Sequence, residues 1–583
     1  MMEKMMKRLL AVAQGHKPPD AVIRNGKVIN VFTNEIEEGL SLFIKDGWIV
    51  SLEKDGKRPA AKGTKEIDAK GMYLCPGFID AHTHLDSLYR FSELPPYALR
   101  GGTTTIVSES GMVGTACGYE GVLSFVESTK GYPLRCYFLA PPLTPPYPKL
   151  ERALGLTLKE FSKLLRRDDF VGIGEGYWTG VLDGGERTLK QASQAMTLRK
   201  TLEGHSSGAR GNRLMQYLLT GITSCHESVS LEEALEKLRL GVYVMIREGF
   251  VRKELKELSK LKDLNIDTRR MILVSDLFDP VMLVEEGYMD SVVRRAVEYG
   301  FAPIDAIKMA TINPADYYGL RFLGALAPLR RADILFLSSL KKVSVEKVMF
   351  NGKMVFAGGR FTEKIAPNHY PKRMQNTLSL KKVTLSAFAI KAKKGKNTVR
   401  VEELVNETIA KEFLWSPPVK DGILLNDAES DIAYAAVMNR HNEKQMGKGF
   451  VKGTGIKHGA VATTLIWDTC NVLVVGSGTK DMEAAVNRLV DMQGGIAIAQ
   501  GGKIIYELPM PVYGLIPLNK MTELRDKIKA LDEAMKAIGS TIKRPFLTLQ
   551  IIPFTGLPFL KITDRGLADT KTRRLVPLFV KGS

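Results

Sequence analysis

The sequence predicts an α/β protein: a metal-binding (β/α)8 TIM-like barrel, flanked by a small β-sandwich and followed by a C-terminal α+β region. Three observations lead there. Between residues 71 and 320, eight short apolar runs alternate with helical stretches, the pattern of parallel βα units closing on themselves. Several of those runs end on histidine, glutamate or aspartate, and strand ends are where a barrel gathers its active site. Short β-type runs with tight-turn signals lie on both sides of this middle, as if one small β-domain were built from the two flanks.

Residues 1–70 are the first part of the β-sandwich. Ala21-Val22-Ile23-Arg24-Asn25-Gly26 and Leu42-Phe43-Ile44-Lys45-Asp46-Gly47 each place an Asn-Gly or Asp-Gly hairpin signal after an apolar run. Residues 71–325 are the barrel. Its strand runs are 74–79, leading to His82 and His84; 103–107, ending at Ser108; 136–139, ending at Ala140; and 170–173, leading to Glu175. The next are 201–203 before His205 (poorer in β-formers than the rest), Ile222 before His226, 242–246 before Arg247, and 271–274 before Asp276. Residues 326–374 return to the sandwich, with a second Asn-Gly signal at Asn351-Gly352. Residues 375–583 form the last region, with strands near 459–465, 472–476, 496–499 and 503–508 and helices over 480–492 and 521–538.

Composition narrows the class. The 583 residues, 44% hydrophobic and 25% charged, describe a multi-domain globular chain. The net charge of +19 is spread out; its densest cluster, Lys391, Lys393, Lys394 and Lys396, lies between apolar stretches without interleaved aromatics. No specific nucleic-acid partner is expected from it. Five cysteines without a CxxC suggest a reducing compartment. No signal peptide and no membrane span are read, so the expected location is cytoplasmic.

The chemistry sits at the strand ends. Residues i and i+2 of a strand share a face, so His82-Thr83-His84 can present two imidazoles to one ion. Glu175, His205, His226 and Asp276 join them at the barrel rim, giving six ligand residues from five strands. Imidazole with carboxylate suits manganese, iron or zinc. Six ligands exceed one tetrahedral ion, so two divalent ions bridged by Glu175 are expected, acidifying a water between them. Asp276 can both ligate and accept the water's proton. Arg247 and Glu248 are candidate substrate-binding residues, with a structural ion pair the alternative for each. His16, His369, His441 and His458 lack any such context.

These residues carry a resemblance. Pro76-Gly77-Phe78-Ile79-Asp80-Ala81-His82-Thr83-His84 resembles the first-strand motif of the amidohydrolase superfamily, and the chain is similar to its adenine deaminase family. Gly172-Ile173-Gly174-Glu175 matches that family's use of Glu where many relatives carry a carboxylated lysine. Gly204-His205-Ser206-Ser207-Gly208, Ser224-Cys225-His226-Glu227, Tyr243-Val244-Met245-Ile246-Arg247-Glu248-Gly249 and Ser275-Asp276 match later motifs, as do Gly449-Phe450-Val451-Lys452-Gly453 and the run from Leu560 in the last region. The resemblance implies a dinuclear manganese or iron centre, a purine-like substrate, and hydrolysis of adenine to hypoxanthine and ammonia.

The chain also departs from the family. A family Asp-Pro-His-Glu run appears as Glu109-Ser110-Gly111-Met112, and Asp-Asp-Arg-His-Pro as Asp276-Leu277-Phe278-Asp279-Pro280. A His-Asp-Ser-His-Asn stretch appears as Trp467-Asp468-Thr469-Cys470-Asn471. The ligand residues stay while neighbouring polar groups go, so the chemistry is expected to persist with altered substrate or rate. The alternatives are another aminated heterocycle or cyclic amide as substrate, or a catalytically impaired relative. A homo-oligomer, as a dimer, is the expected assembly.

Overall fold

In a computed structural model, which describes residues 2–56, 61–406 and 408–580, eight strands run parallel and side by side in chain order. They are Phe78–Thr83, Thr103–Ser108, Arg135–Ala140, Phe170–Tyr177, Thr201–His205, Ser224–Cys225, Tyr243–Arg247 and Met271–Val274. The first and last meet at the rim, where Thr83 pairs with Asp276 and the Asp276 N–H donates to the His82 carbonyl at 3.0 Å. That contact brings the sheet nearly to closure as a barrel.

Alternation along the strands carries the interior from apolar to charged. Val107, Leu139, Val171, Met245, Ile272 and Val274 form one buried cluster inside the barrel, plugged by Tyr317 and Tyr318. Continuing by twos, Met245 leads to Arg247 and Val274 to Asp276, whereas Glu175 reaches the same rim past register shifts in its strand. The opposite faces, among them Ile106, Phe138, Phe170, Val244 and Leu273, pack in the large core that surrounds the barrel.

Three local readings change. The run 74–79 is two strands, not one. Tyr73–Pro76 pairs antiparallel with Ile334–Ser339 in the flanking sheet, and the barrel strand starts at Phe78. The break falls at Gly77, whose N–H donates to the Asp333 carbonyl and whose Cβ would lie 2.2 Å from Thr104 Oγ1. Asn25-Gly26 is a bulge within the long strand Ala21–Asn30, because the chain shifts register there and continues rather than reversing. The sixth strand is the two-residue Ser224–Cys225, beyond Ile222.

The flanking sheet has nine strands drawn from both ends of the barrel. Leu42, Ile44 and Leu74 from one side share a core with Ile334, Phe336 and Met349 from the other. Asp46-Gly47 and Asn351-Gly352 do turn hairpins, with φ of 52° and 76°, and 49° and 78°. After residue 375 an eight-stranded sheet carries the helix Thr479–Met492, which buries Met482, Ala485, Val486 and Leu489. The helix Met521–Ala537 packs on Pro280–Glu285 of the barrel, and Arg152 pairs with Asp564 at 3.1 Å. These ties hold the loop around Trp467 and the helix Pro545–Ile551 beside the barrel mouth.

Two rim turns touch at Gly249. A Cβ there would stand 1.9 Å from the Ser275 carbonyl oxygen and 2.5 Å from that of Leu277, so it would push apart the backbone on either side of Asp276. Gly249→Ala should lower stability by about 1–3 kcal/mol, read from denaturant unfolding. An unchanged midpoint would mean that the two turns separate freely.

Candidate active site

Glu175 ends the fourth barrel strand with its carboxylate between two pairs of histidines. Its Oε1 lies 3.1 Å from His84 Nε2 and 3.9 Å from His82 Nε2. Its Oε2 lies 2.9 Å from His205 Nδ1 and 3.5 Å from His226 Nε2. Asp276 faces the first pair, with Oδ1 3.6 Å from His82 Nε2 and 3.7 Å from His84 Nε2. All six residues expected as ligands are thus brought together. Three overlapping groups among them, His82–His84–Glu175, Glu175–His205–His226 and His82–His226–Asp276, place ligand atoms close enough to hold an ion.

The chemistry of this donor set fits divalent cations. His82 Nε2 is buried without a hydrogen-bond partner among the described residues, on the side facing Asp276 and Glu175. Its other nitrogen, Nδ1, is 2.7 Å from Glu203 Oε2, and Glu203 is itself fixed by the Tyr318 hydroxyl. A carboxylate on Nδ1 holds the tautomer that leaves Nε2 as a lone-pair donor. Burial alone would lower the pKa of His82, but the charges of Glu203, Asp276 and Glu175 overrule it and push it well above the usual histidine range. The cluster demands positive charge, and a divalent cation meets that demand while leaving the imidazoles neutral.

Burial opposes the ionised form of Glu175 and Asp276 too. The histidines around Glu175 outweigh it, and for Asp276 the Arg247 guanidinium does so with His82 and His84, so both carboxyls lie well below their ordinary range. Asp276 holds a left-handed backbone (φ 62°), which a tied strand end can sustain. Beneath Glu175, Glu109 Oε1 accepts the Glu175 N–H at 2.9 Å. Gly174 makes room for it, since a Cβ there would lie 2.2 Å from Glu109 Oε2. Burial, then the charge of Glu175, push Glu109 up to about 8.

Arg247 lines the pocket, but its guanidinium is largely engaged. It makes a two-pronged bond to Glu254 (3.0 and 2.8 Å), a bond to Glu227, and a bond to Asp276 Oδ2 at 3.3 Å. Glu248 is not among the lining residues. It accepts the Leu255 N–H at 3.3 Å and faces Arg295 at 3.7 Å. The pocket wall is completed by Met112, Leu277, Tyr177 and Glu227 from the barrel and by Trp467, Asp468 and Phe554 from the last region. Burial, then the charge of Glu175, push Asp468 up to about 7.

Sequence reasoning did not single out Glu203, Glu227 or Glu109. Glu203 stands two residues before His205 on one strand, the same i, i+2 relation that marks His82 and His84, and that spacing could have found it. Glu227 directly follows His226. Glu109 directly follows the second barrel strand, so the strand-end rule could have found it, although its place beneath Glu175 is a tertiary contact.

A nearly closed barrel with histidines and carboxylates converging at its mouth is the architecture of an amidohydrolase, and residues 73–355 match the model of the amidohydrolase family. Residues 407–574 match the adenine deaminase C-terminal domain. The proteins named adenine deaminase from Clostridium botulinum (strain Langeland) and Moorella thermoacetica are each 37% identical, over 99% and 98% of this chain and 98% of theirs. That from Archaeoglobus fulgidus is 33% identical over 98% of both. The chain belongs to the adenine deaminase family.

Glu203→Gln puts an amide N–H where His82 Nδ1 now meets a carboxylate, favouring the tautomer with its proton on Nε2. Metal retention against a competing chelator should weaken about 10- to 100-fold with the fold unchanged. Unaltered retention would remove Glu203 from control of that histidine.

Proposed function

We propose that this chain hydrolyses adenine to hypoxanthine and ammonia at a centre of two divalent ions. The observation that carries the reading is the seating of one carboxylate, Glu175, with a histidine pair on each oxygen. In this reading His82, His84 and Asp276 would hold one ion and His205 and His226 the other, with Glu175 placed to contribute to both. Manganese or iron is the assignment this nitrogen and oxygen set favours, with zinc the alternative. Bound there, the ions supply an acidified water and polarise the bond under attack.

The residues do the rest. Asp276, held by Arg247 through Oδ2, keeps Oδ1 toward the reacting centre. It takes the proton of the attacking water as the C–O bond forms. It gives that proton to the amino nitrogen as the C–N bond breaks and ammonia leaves. Arg247 acts here as a positioning residue for Asp276, and Glu248 supports the turn that carries it. Tyr177 and Trp467 shield the site from bulk water.

Met112 and Leu277 line the pocket where the family carries polar groups, and this favours a second reading, hydrolysis of a different aminated heterocycle or cyclic amide. Among the described residues no helix is long and apolar enough to cross a membrane. The cytoplasm suits five free cysteines. A homodimer suits the exposed Leu189, Met196, Met215 and Leu219 on the barrel's outer helices.

Protein loaded with Mn²⁺ under reducing conditions should release ammonia from adenine, and chelation should stop it. Absence of release from folded, loaded protein would sink the adenine reading and send the work to other aminated rings. Asp276→Asn should cut turnover by at least about 100-fold while both ions largely remain. A fully active variant would take Asp276 out of the proton path.

A further inference from the structure

We propose that Asp468 is the specificity-determining residue of this pocket, accepting the imidazole-ring N–H of a free purine base and so turning away N-substituted purines and nucleosides. The inference rests on the deaminase reading above and adds to it a residue from outside the barrel.

The two oxygens of Asp468 are not equivalent. Oδ1 accepts the Tyr177 hydroxyl at 3.3 Å, whereas Oδ2 is buried with no hydrogen-bond partner among the described residues. Asp468 lines the same pocket as His84, Glu175, His205, His226 and Asp276, so its carboxyl shares one space with the reacting centre. In either protonation state a carboxyl retains an acceptor oxygen.

The loop that carries it is built to hold this position. Trp467 is fixed at both its backbone N–H and its indole N–H, each 3.0 Å from Gln550. Cys470 reaches the Met112 carbonyl at 3.4 Å, and its own carbonyl accepts from the buried Arg440 at 3.1 Å. Asn471 donates to the Arg152 carbonyl at 3.0 Å. Asp468 and Cys470 both take left-handed backbone angles, φ 64° and 51°. A non-glycine residue keeps such a conformation only where its surroundings determine it.

The neighbours suit a flat ring. Trp467 and Phe554 meet edge to face at 5.4 Å, and Tyr177 lies 6.0 Å from Phe554 and 4.4 Å from His205. A purine laid against this aromatic wall, with its amino-bearing carbon toward Asp276 and Glu175, turns its imidazole half away from them. The donor on that half is a ring N–H, which Asp468 Oδ2 can accept. A purine alkylated or glycosylated at that nitrogen has lost the donor and gained bulk. A site built for a hydrogen bond rejects such analogues strongly.

The test uses the full-length, Mn²⁺-loaded protein and compares binding of hypoxanthine and 9-methylhypoxanthine by calorimetry, with no turnover involved. Wild-type protein should prefer hypoxanthine by about 30-fold or more, and Asp468→Ala should weaken hypoxanthine by a similar factor while leaving the methylated base unchanged. Asp468→Asn keeps the shape and a weaker acceptor, so it should show an intermediate preference, and it serves if the alanine variant fails to fold. Equal loss for both ligands would assign Asp468 to loop structure, and an unchanged preference in either variant would overturn the proposal. If wild-type protein releases ammonia from adenine yet binds both ligands alike, only this inference fails. If it neither binds hypoxanthine nor releases ammonia, the deaminase reading beneath it fails as well.

Discussion

An ionised carboxylate only 14% exposed, as Glu175 is, must be matched by positive charge or hydrogen bonds, because its desolvation costs several kcal/mol. Here both oxygens are matched, each toward its own pair of imidazoles. Much of the surrounding structure serves that placement. Gly174 admits Glu109 beneath the strand, Glu109 receives the Glu175 N–H, and Glu203 orients the imidazole of His82. A second buried carboxylate, Asp276, depends on Arg247, and the pairing of Thr83 with Asp276 makes barrel closure and ligand geometry one event. A change that loosens the rim at Asp276 therefore touches fold and site together.

The barrel supplies the reacting half of the pocket and the last region supplies much of its cover. Trp467 and Phe554 reach over the mouth from segments more than 190 residues beyond the last barrel strand, and Tyr177 packs against them from the barrel side. Such a cover limits the access of water, so its composition bears on substrate choice while the histidine and carboxylate set bears on the reaction. Met112 and Leu277, apolar side chains in the pocket wall, fall in the first group. The six strand-end histidines and carboxylates, in contrast, are all gathered at the rim.

The strand-end residues were legible because the rule behind them is topological: every parallel strand of a barrel delivers its last side chains to one rim. His82, His84, Glu175, His205, His226 and Asp276 needed no distances to be grouped. The two-residue sixth strand and the division at Gly77 were not legible, since an apolar run does not say which sheet it joins. Asn25-Gly26 carries the same residue pair as a true hairpin at Asn351-Gly352, and only the partner strand distinguishes bulge from turn. Arg247 was visible as a rim residue, but its engagement by Glu254, Glu227 and Asp276 depends on segments that meet only in the folded chain. Glu109 and Asp468 are further cases: both stood in stretches that resemble family motifs, but their positions beneath Glu175 and beside the pocket depend on tertiary contacts.

The central claim is that Glu175 joins two ions into one centre. The most direct measurement is anomalous diffraction from crystals of the Mn²⁺-loaded protein. The account predicts two peaks, about 3.5–4 Å apart as in other two-metal sites, one beside His82 and His84 and the other beside His205 and His226, with Glu175 touching both. A single fully occupied peak, or two peaks of which only one contacts Glu175, would contradict it.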